Sequence, residues 1–62
     1  MTLNLKGKEY NLSMLEYECL DEILHATAKY GMNRAKCLEW GTFSYTAERR
    51  AIFDKVWRIL HF

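Results

Sequence analysis

The last third of the chain carries the strongest constraint on its fold. From residue 45 onward, apolar side chains recur every three or four positions, which is the period of an α-helix. The residues of this apolar stripe are Tyr45, Ile52, Phe53, Val56, Ile59 and Leu60. A helix with one broad apolar stripe must bury it against another element. We therefore expect a helix over residues 45–61, capped by Thr42, Ser44 or Thr46, and expect the rest of the chain to supply its cover.

Residues 2–12 alternate between apolar and polar side chains, which is the period of a half-buried strand pair. A two-residue loop of type II′ that begins at Gly7 would set Leu5 opposite Tyr10. A loop one residue earlier would set Leu5 opposite Lys8 instead. Cross-strand pairing of like side chains favours the first register. An isolated hairpin is marginal in water, so its apolar face is expected to lie on helices.

The sequence between the hairpin and the last helix has the start and stop signals of two further helices. Ser13 and Glu16 form the pattern of a capping box, in which each side chain accepts a backbone amide of the other residue. Asn33 can cap the second, shorter helix. Gly31 and Gly41 each follow a predicted helix end, where glycine is favoured.

Together these signals predict an α+β fold in one small domain, with an N-terminal β-hairpin packed on three α-helices. The predicted elements are a hairpin over residues 2–12 and helices over residues 14–30, 34–40 and 45–61. On the first helix the apolar face is expected to contain Tyr17, Leu20, Ile23, Leu24, Thr27 and Ala28.

Length and composition bound the class of protein. A chain of 62 residues makes one domain with a small interior, yet half of its residues are hydrophobic. Some apolar surface should therefore remain exposed, which is typical of interaction sites. The net charge of +1, from nine basic and eight acidic residues, is too balanced to indicate a polyanion-binding protein by bulk electrostatics.

Catalytic and metal-binding patterns do not emerge from the residues. The only cysteines and histidines are Cys19, His25, Cys37 and His61, and their spacing matches no familiar zinc site. Serines lack a nucleophile elbow and a glycine-rich oxyanion loop. We therefore expect a protein that is not an enzyme and that needs no metal or cofactor, with two reduced thiols.

The N-terminal residues show no apolar run of the kind found in signal peptides, and no stretch approaches eighteen uninterrupted apolar residues. We expect a soluble, cytoplasmic protein without a membrane partner.

A helix-turn-helix unit is an alternative interpretation, because a short helix, a glycine-containing turn and a longer basic helix occur in the right order. The basic residues of that last helix are Arg49, Arg50, Lys55 and Arg58. Glu48 and Asp54 on the same helix oppose this interpretation, since a recognition helix offers polar or basic groups to base edges. Nucleic-acid binding therefore stays an alternative.

Two charges, on Glu16 and Arg49, project from otherwise apolar stripes. A charge in such a position is seldom left unpaired. We expect the two side chains to form a buried or half-buried ion pair with each other, or one of them to lie at a helix end where its head reaches water. The alternative is that Arg49 faces a carboxylate of a partner protein.

A candidate contact surface lies beside the apolar stripe of the last helix. Tryptophan next to arginine is a combination that dominates protein-binding hot spots. The candidate partner-binding residues are Arg50, Asp54, Trp57, Arg58 and His61, with Trp40 at the end of the short helix. One of the two indoles is expected in the core and the other in the contact surface.

These features favour a small protein-binding module, a stoichiometric inhibitor or modulator of a larger cytoplasmic protein. A structural homo-oligomer, built through the open edges of the hairpin, is a further alternative. The compact plan without site chemistry resembles, in general terms, small accessory proteins of bacteriophages and mobile elements. Such proteins often occupy a host protein, but no specific motif carries this resemblance.

Overall fold

The structure, a computed structural model, describes residues 2–61, and for His61 it describes the backbone only. Two antiparallel strands are followed by three helices, which confirms the predicted α+β domain. The elements are β1 (Thr2–Leu5), β2 (Lys8–Asn11), α1 (Met14–Tyr30), α2 (Arg34–Trp40) and α3 (Ala47–His61).

The hairpin turn lies one residue earlier than predicted. Lys6 and Gly7 form the loop with φ of 52° and 77°, and Leu5 is therefore paired with Lys8. Two successive residues with positive φ make a type I′ turn, whose twist matches that of the flanking strands. This preference outweighs the pairing of like side chains. In this register β2 ends at Asn11, and Leu12, the next residue, is almost fully buried, at 3% exposure.

The capping box at the start of α1 is confirmed. The Glu16 amide donates to Ser13 Oγ at 3.2 Å, and the Ser13 amide donates to Glu16 Oε1 at 2.8 Å. At the other end the Gly31 amide donates to the Thr27 carbonyl at 2.9 Å, and Gly31 has a φ of 70°. The local signals at 13 and 31 thus fix both ends of this helix.

The buried face of α1 is rotated relative to the prediction. Leu20 and Ile23 are buried as expected, but Cys19 and Ala26 are completely buried while Leu24 is 53% exposed. Because α1 packs against both α2 and α3, its buried arc is set by two neighbours rather than by the apolar stripe alone. Small side chains at 19 and 26 allow those neighbours to approach closely.

The last two helices begin at residues whose side chains accept backbone amides. Asn33 Oδ1 accepts the Lys36 amide at 3.2 Å at the start of α2. Thr46 Oγ1 accepts the Arg49 amide at 3.1 Å, so α3 begins at 47 rather than at 45. Tyr45 therefore precedes the cap and is 76% exposed, and its predicted place on the buried stripe is wrong.

The core lies where the three helices meet. Phe43, from the loop between α2 and α3, is 2% exposed and fills this core together with side chains from all three helices. The residues of the buried cluster are Cys19, Leu20, Ile23, Ala26, Cys37, Phe43, Phe53 and Val56.

Glu16 and Arg49, the two charges that project from apolar stripes, do not pair with each other. Glu16 Oε2 lies 2.6 Å from Lys55 Nζ, while the Arg49 guanidinium lies over the ring of Phe43 at 4.8 Å and donates to Thr42 Oγ1 at 3.2 Å. The prediction of a Glu16 pair with Arg49 is therefore wrong. Arg49 lies closer to the N-terminus of α3, beside the loop that holds Phe43, whereas Lys55 lies further along the helix.

The hairpin contacts the helices through side chains. Among residues 2–61, no strand Cα lies within 8 Å of a helix Cα three or more positions away, although Leu3 packs against the core. The pairing of Glu16 with Lys55 joins the first turn of α1 to α3. The hairpin itself is held against the helices by apolar side chains such as Leu3.

We predict that Glu16→Gln lowers the free energy of unfolding at pH 7 by about 1 to 2 kcal/mol, since a charge-assisted hydrogen bond and part of the capping box are weakened. The hydrogen bonds from Lys55 and from the Ser13 amide hold the pKa of the Glu16 carboxyl below its usual 4.5. A depressed pKa contributes stability above the unfolded-state pKa, and this contribution is lost as pH falls through the folded-state value.

Urea unfolding at pH 7 and pH 3 checks this prediction. The difference in the free energy of unfolding between wild type and Glu16→Gln should be smaller at pH 3 than at pH 7. Glu18→Gln, at an exposed position of the same helix, is the control, and its free energy of unfolding should depend on pH as that of the wild type does. An equal difference at both pH values would contradict the assignment.

A second prediction concerns the turn. Lys6→Asn should raise the free energy of unfolding by about 0.5 to 1 kcal/mol, because asparagine tolerates the left-handed conformation better than lysine. Gly7→Ala should lower it, since Gly7 also has a positive φ. Urea unfolding measures both effects. A neutral Lys6→Asn with a stabilising Gly7→Ala would contradict the type I′ turn.

Candidate functional site

A surface groove runs between β2 and the outer side of α3. Two of the predicted contact residues, Asp54 and Arg58, lie together in its lining. The lining residues are Tyr10, Ala51, Asp54, Lys55, Arg58 and Ile59. The groove therefore combines one face of a helix with one side chain of a strand.

Apolar groups and charged groups alternate along this groove. Tyr10 and Ile59 are half-buried and Ala51 is exposed, so each keeps apolar area in contact with water. Residues 51, 55 and 59 follow one another at four-residue steps on α3, which places them along one line of the helix surface. An elongated ligand can thus contact apolar side chains along much of α3.

Two of the three charges in the groove already have partners. Asp54 forms an ion pair with Arg34 of α2, whose guanidinium also lies 5.6 Å from the centre of the Phe53 ring. Lys55 forms the ion pair with Glu16. These charges hold elements of the fold together.

Arg58 differs from its neighbours. It is exposed, and no acidic side chain or hydrogen-bond acceptor within residues 2–61 pairs with it. The groove therefore offers a guanidinium whose donors are available to a ligand, next to apolar surface. Such a group can form a bidentate pair with a carboxylate.

The two indoles occupy different environments. Trp57 is half-buried, packs against the core and stacks on Phe53 with ring centroids 5.7 Å apart and an angle of 20° between the planes. Trp40 is 43% exposed at the end of α2. Trp57 is not among the residues that line the groove, whereas Asp54 and Arg58 are.

Arg50 is also absent from the groove lining. The Arg50 guanidinium donates to the Ser44 carbonyl at 3.0 Å and so binds the loop before α3. The side chain of His61 lies outside the described part of the chain. The groove residues that the sequence did not indicate as contacts are Tyr10, Ala51, Lys55 and Ile59. The spacing of Ala51, Lys55 and Ile59 on α3 can be read from the sequence, but their proximity to Tyr10 of the hairpin cannot.

Exposed apolar side chains occur on several elements besides this groove. Leu24 and Ala28 line a shallow depression on α1 beside His25. Large hydrophobic residues with high exposure are Met14, Leu24, Met32, Trp40 and Tyr45. These residues lie on α1, on α2 and in two loops, whereas the groove brings two elements together around an available charge.

The two cysteines are buried thiols. Burial raises the pKa of Cys19 to about 12 and raises that of Cys37 as well, so both stay protonated at neutral pH. The Cys37 thiol donates to the Gly31 carbonyl at 3.6 Å. A protonated thiol is a poor nucleophile and a poor metal ligand, so the cysteines serve as core side chains.

Within residues 2–61 no three side chains of His, Cys, Asp or Glu are grouped closely enough to hold a metal ion. None of the described helices combines the length and the apolar character that a membrane span requires.

Comparison with known proteins adds no relative: no family model, no curated protein and no solved structure matches this chain.

The different settings of the two indoles give a direct prediction. Trp57→Ala should lower the free energy of unfolding by about 2 to 3 kcal/mol, because it removes a ring that packs on the core. Trp40→Ala should change it by about 0.5 kcal/mol or less, as expected of an exposed position. Urea unfolding followed by circular dichroism measures both. Similar effects of the two substitutions would contradict these placements.

Proposed function

We propose that this protein is a non-enzymatic binding module, a stoichiometric inhibitor or modulator of a larger cytoplasmic protein, and that the groove between β2 and α3 is its contact surface. The observation that carries the proposal is the exposed Arg58 beside the apolar side chains of the groove. Arginine next to aromatic and aliphatic surface is the composition of interface hot spots.

The size of the chain suits this role. The described surface measures 4332 Å², and a standard interface covers about 800 Å² of each partner. One side of the molecule, centred on the groove, is enough for a specific complex. The rest of the chain then serves to hold β2 and α3 in place.

Contacts within the fold favour a protein partner over a nucleic acid. Arg49 binds Thr42, Arg50 binds the Ser44 carbonyl and Lys55 binds Glu16. Of the four basic residues considered for a recognition helix, three are thus engaged in holding the fold. Phosphate binding depends on several available cations, which this helix does not provide.

Affinity capture from the native cell at physiological salt tests the proposal. The baits are the wild type, Arg58→Glu, and Lys36→Glu as a charge-matched control on the exposed surface of α2. We expect a protein that is retained by the wild type and by Lys36→Glu and is lost with Arg58→Glu, because the reversed charge repels a carboxylate.

The purified complex should have 1:1 or 2:2 stoichiometry by light scattering, and circular dichroism should show that both variants are folded. Recovery of nucleic acid alone, or equal recovery by wild type and Arg58→Glu, would contradict the proposal.

A further inference from the structure

The register of the hairpin determines which backbone groups point away from it. In a two-residue type I′ hairpin, the residues that flank the turn form a hydrogen-bonded pair, and such pairs alternate with non-hydrogen-bonded ones. Leu5 and Lys8 flank the turn, and Leu3 pairs with Tyr10. The amide and carbonyl groups of Glu9 and Asn11 therefore point outward from β2.

These outward groups form an open edge. The sheet of the described chain has two strands, and no hydrogen bond from elsewhere in residues 2–61 reaches Glu9 or Asn11. An unpaired strand edge is a template for another strand.

The groove borders β2, the strand with this open edge, and not β1. Tyr10 of β2 lines the groove together with five residues of α3, whereas no residue of β1 does so. A strand laid along the outer edge of β2 would add to the sheet next to the strand that contributes Tyr10 to the groove. Its backbone would meet Glu9 and Asn11, and its inward side chains would meet Ala51 and Ile59.

We propose that the partner enters the groove as an extended segment that adds a third strand to the outer edge of β2. The segment carries apolar side chains at alternate positions, which face α3, and an aspartate or glutamate that pairs with Arg58. The proposal rests on the proposed function and specifies how the partner is recognised: main-chain hydrogen bonds supply attachment, and alternate side chains supply selectivity.

The same features favour a foreign segment over a second copy of the chain. If the β2 edges of two copies paired about Glu9, the two Glu9 carboxylates would face each other. If β1 of one copy paired with β2 of the next, the contact would be head-to-tail and would continue as an open chain of copies instead of closing into a dimer. Pairing of two β1 edges about Asn4 is symmetric, but it would leave the groove and Arg58 unoccupied.

A library of random ten-residue peptides displayed on phage supplies the probe, with selection on the wild type and counter-selection on Arg58→Glu. In the complex with a selected peptide, amide hydrogen exchange measured by NMR should slow by about tenfold or more at Glu9 and Asn11 and stay unchanged at Thr2 and Asn4. Selected sequences should alternate apolar residues and contain an acidic residue.

Two proline variants form a matched pair for the affinity measurement. Asn11→Pro removes an outward amide from β2, and Asn4→Pro removes the equivalent amide from β1. Calorimetry should show that Asn11→Pro weakens binding by about tenfold or more, whereas Asn4→Pro keeps the affinity within about twofold. If either variant fails to fold, amide hydrogen exchange at Glu9 and Asn11 of the wild-type complex alone tests whether the peptide binds as a strand.

Three other outcomes would contradict the added strand, and the pattern of affected amides distinguishes them. Peptides that shift the amides of Ala51 and Arg58 without protecting Glu9 and Asn11 would show a groove ligand that is not a strand, which leaves the proposed function standing. Protection of Thr2 and Asn4 that increases with protein concentration would indicate pairing of two copies through β1. A library without any Arg58-dependent peptide would also reject the strand, while capture of the intact partner decides the proposed function separately.

Discussion

The carboxylate of Glu16 is the constraint on which the arrangement of this small domain depends. One oxygen accepts the Ser13 amide where the hairpin leads into α1, and the other binds Lys55 in the middle of α3. The side chain is only 12% exposed, so water competes weakly for these contacts. The carboxylate therefore ties the first turn of α1 to α3, while Leu3 of the hairpin packs against the core between the helices. The groove lies where Tyr10 of the hairpin comes close to α3.

Most charges near the core hold the fold together rather than face a partner. Arg49 covers Phe43, and Glu22 accepts the Thr42 amide at 3.3 Å and the Thr42 hydroxyl at 3.0 Å, which fixes the loop that delivers Phe43 to the core. Asp54 is tied to α2 in a similar way. A chain with a small hydrophobic interior gains order from such contacts. Arg58 stands out because it lies beside apolar surface and has no such task among the described residues.

Local signals in the sequence predicted the helix boundaries well, because a cap depends on residues three or four positions apart. The capping box at Ser13 and the glycine at 31 are of this kind. The strand register was wrong because the twist of a Lys6-Gly7 turn outweighs the weak preferences of facing side chains. The meeting of Asp54 and Arg58 with Tyr10 was beyond sequence patterns, since it depends on where the hairpin packs. Phe43 was missed because a loop residue has no period that reveals its burial.

The most direct test of this account is the pKa of the Glu16 carboxyl, measured by carbon-detected NMR titration in the wild type and in Lys55→Met. We expect a pKa below 4.5 in the wild type, since the hydrogen bonds from Lys55 and the Ser13 amide favour the ionised form. Loss of the ammonium should raise the pKa toward the usual value. A wild-type pKa at or above 4.5, unchanged by Lys55→Met, would contradict the role assigned to this carboxylate.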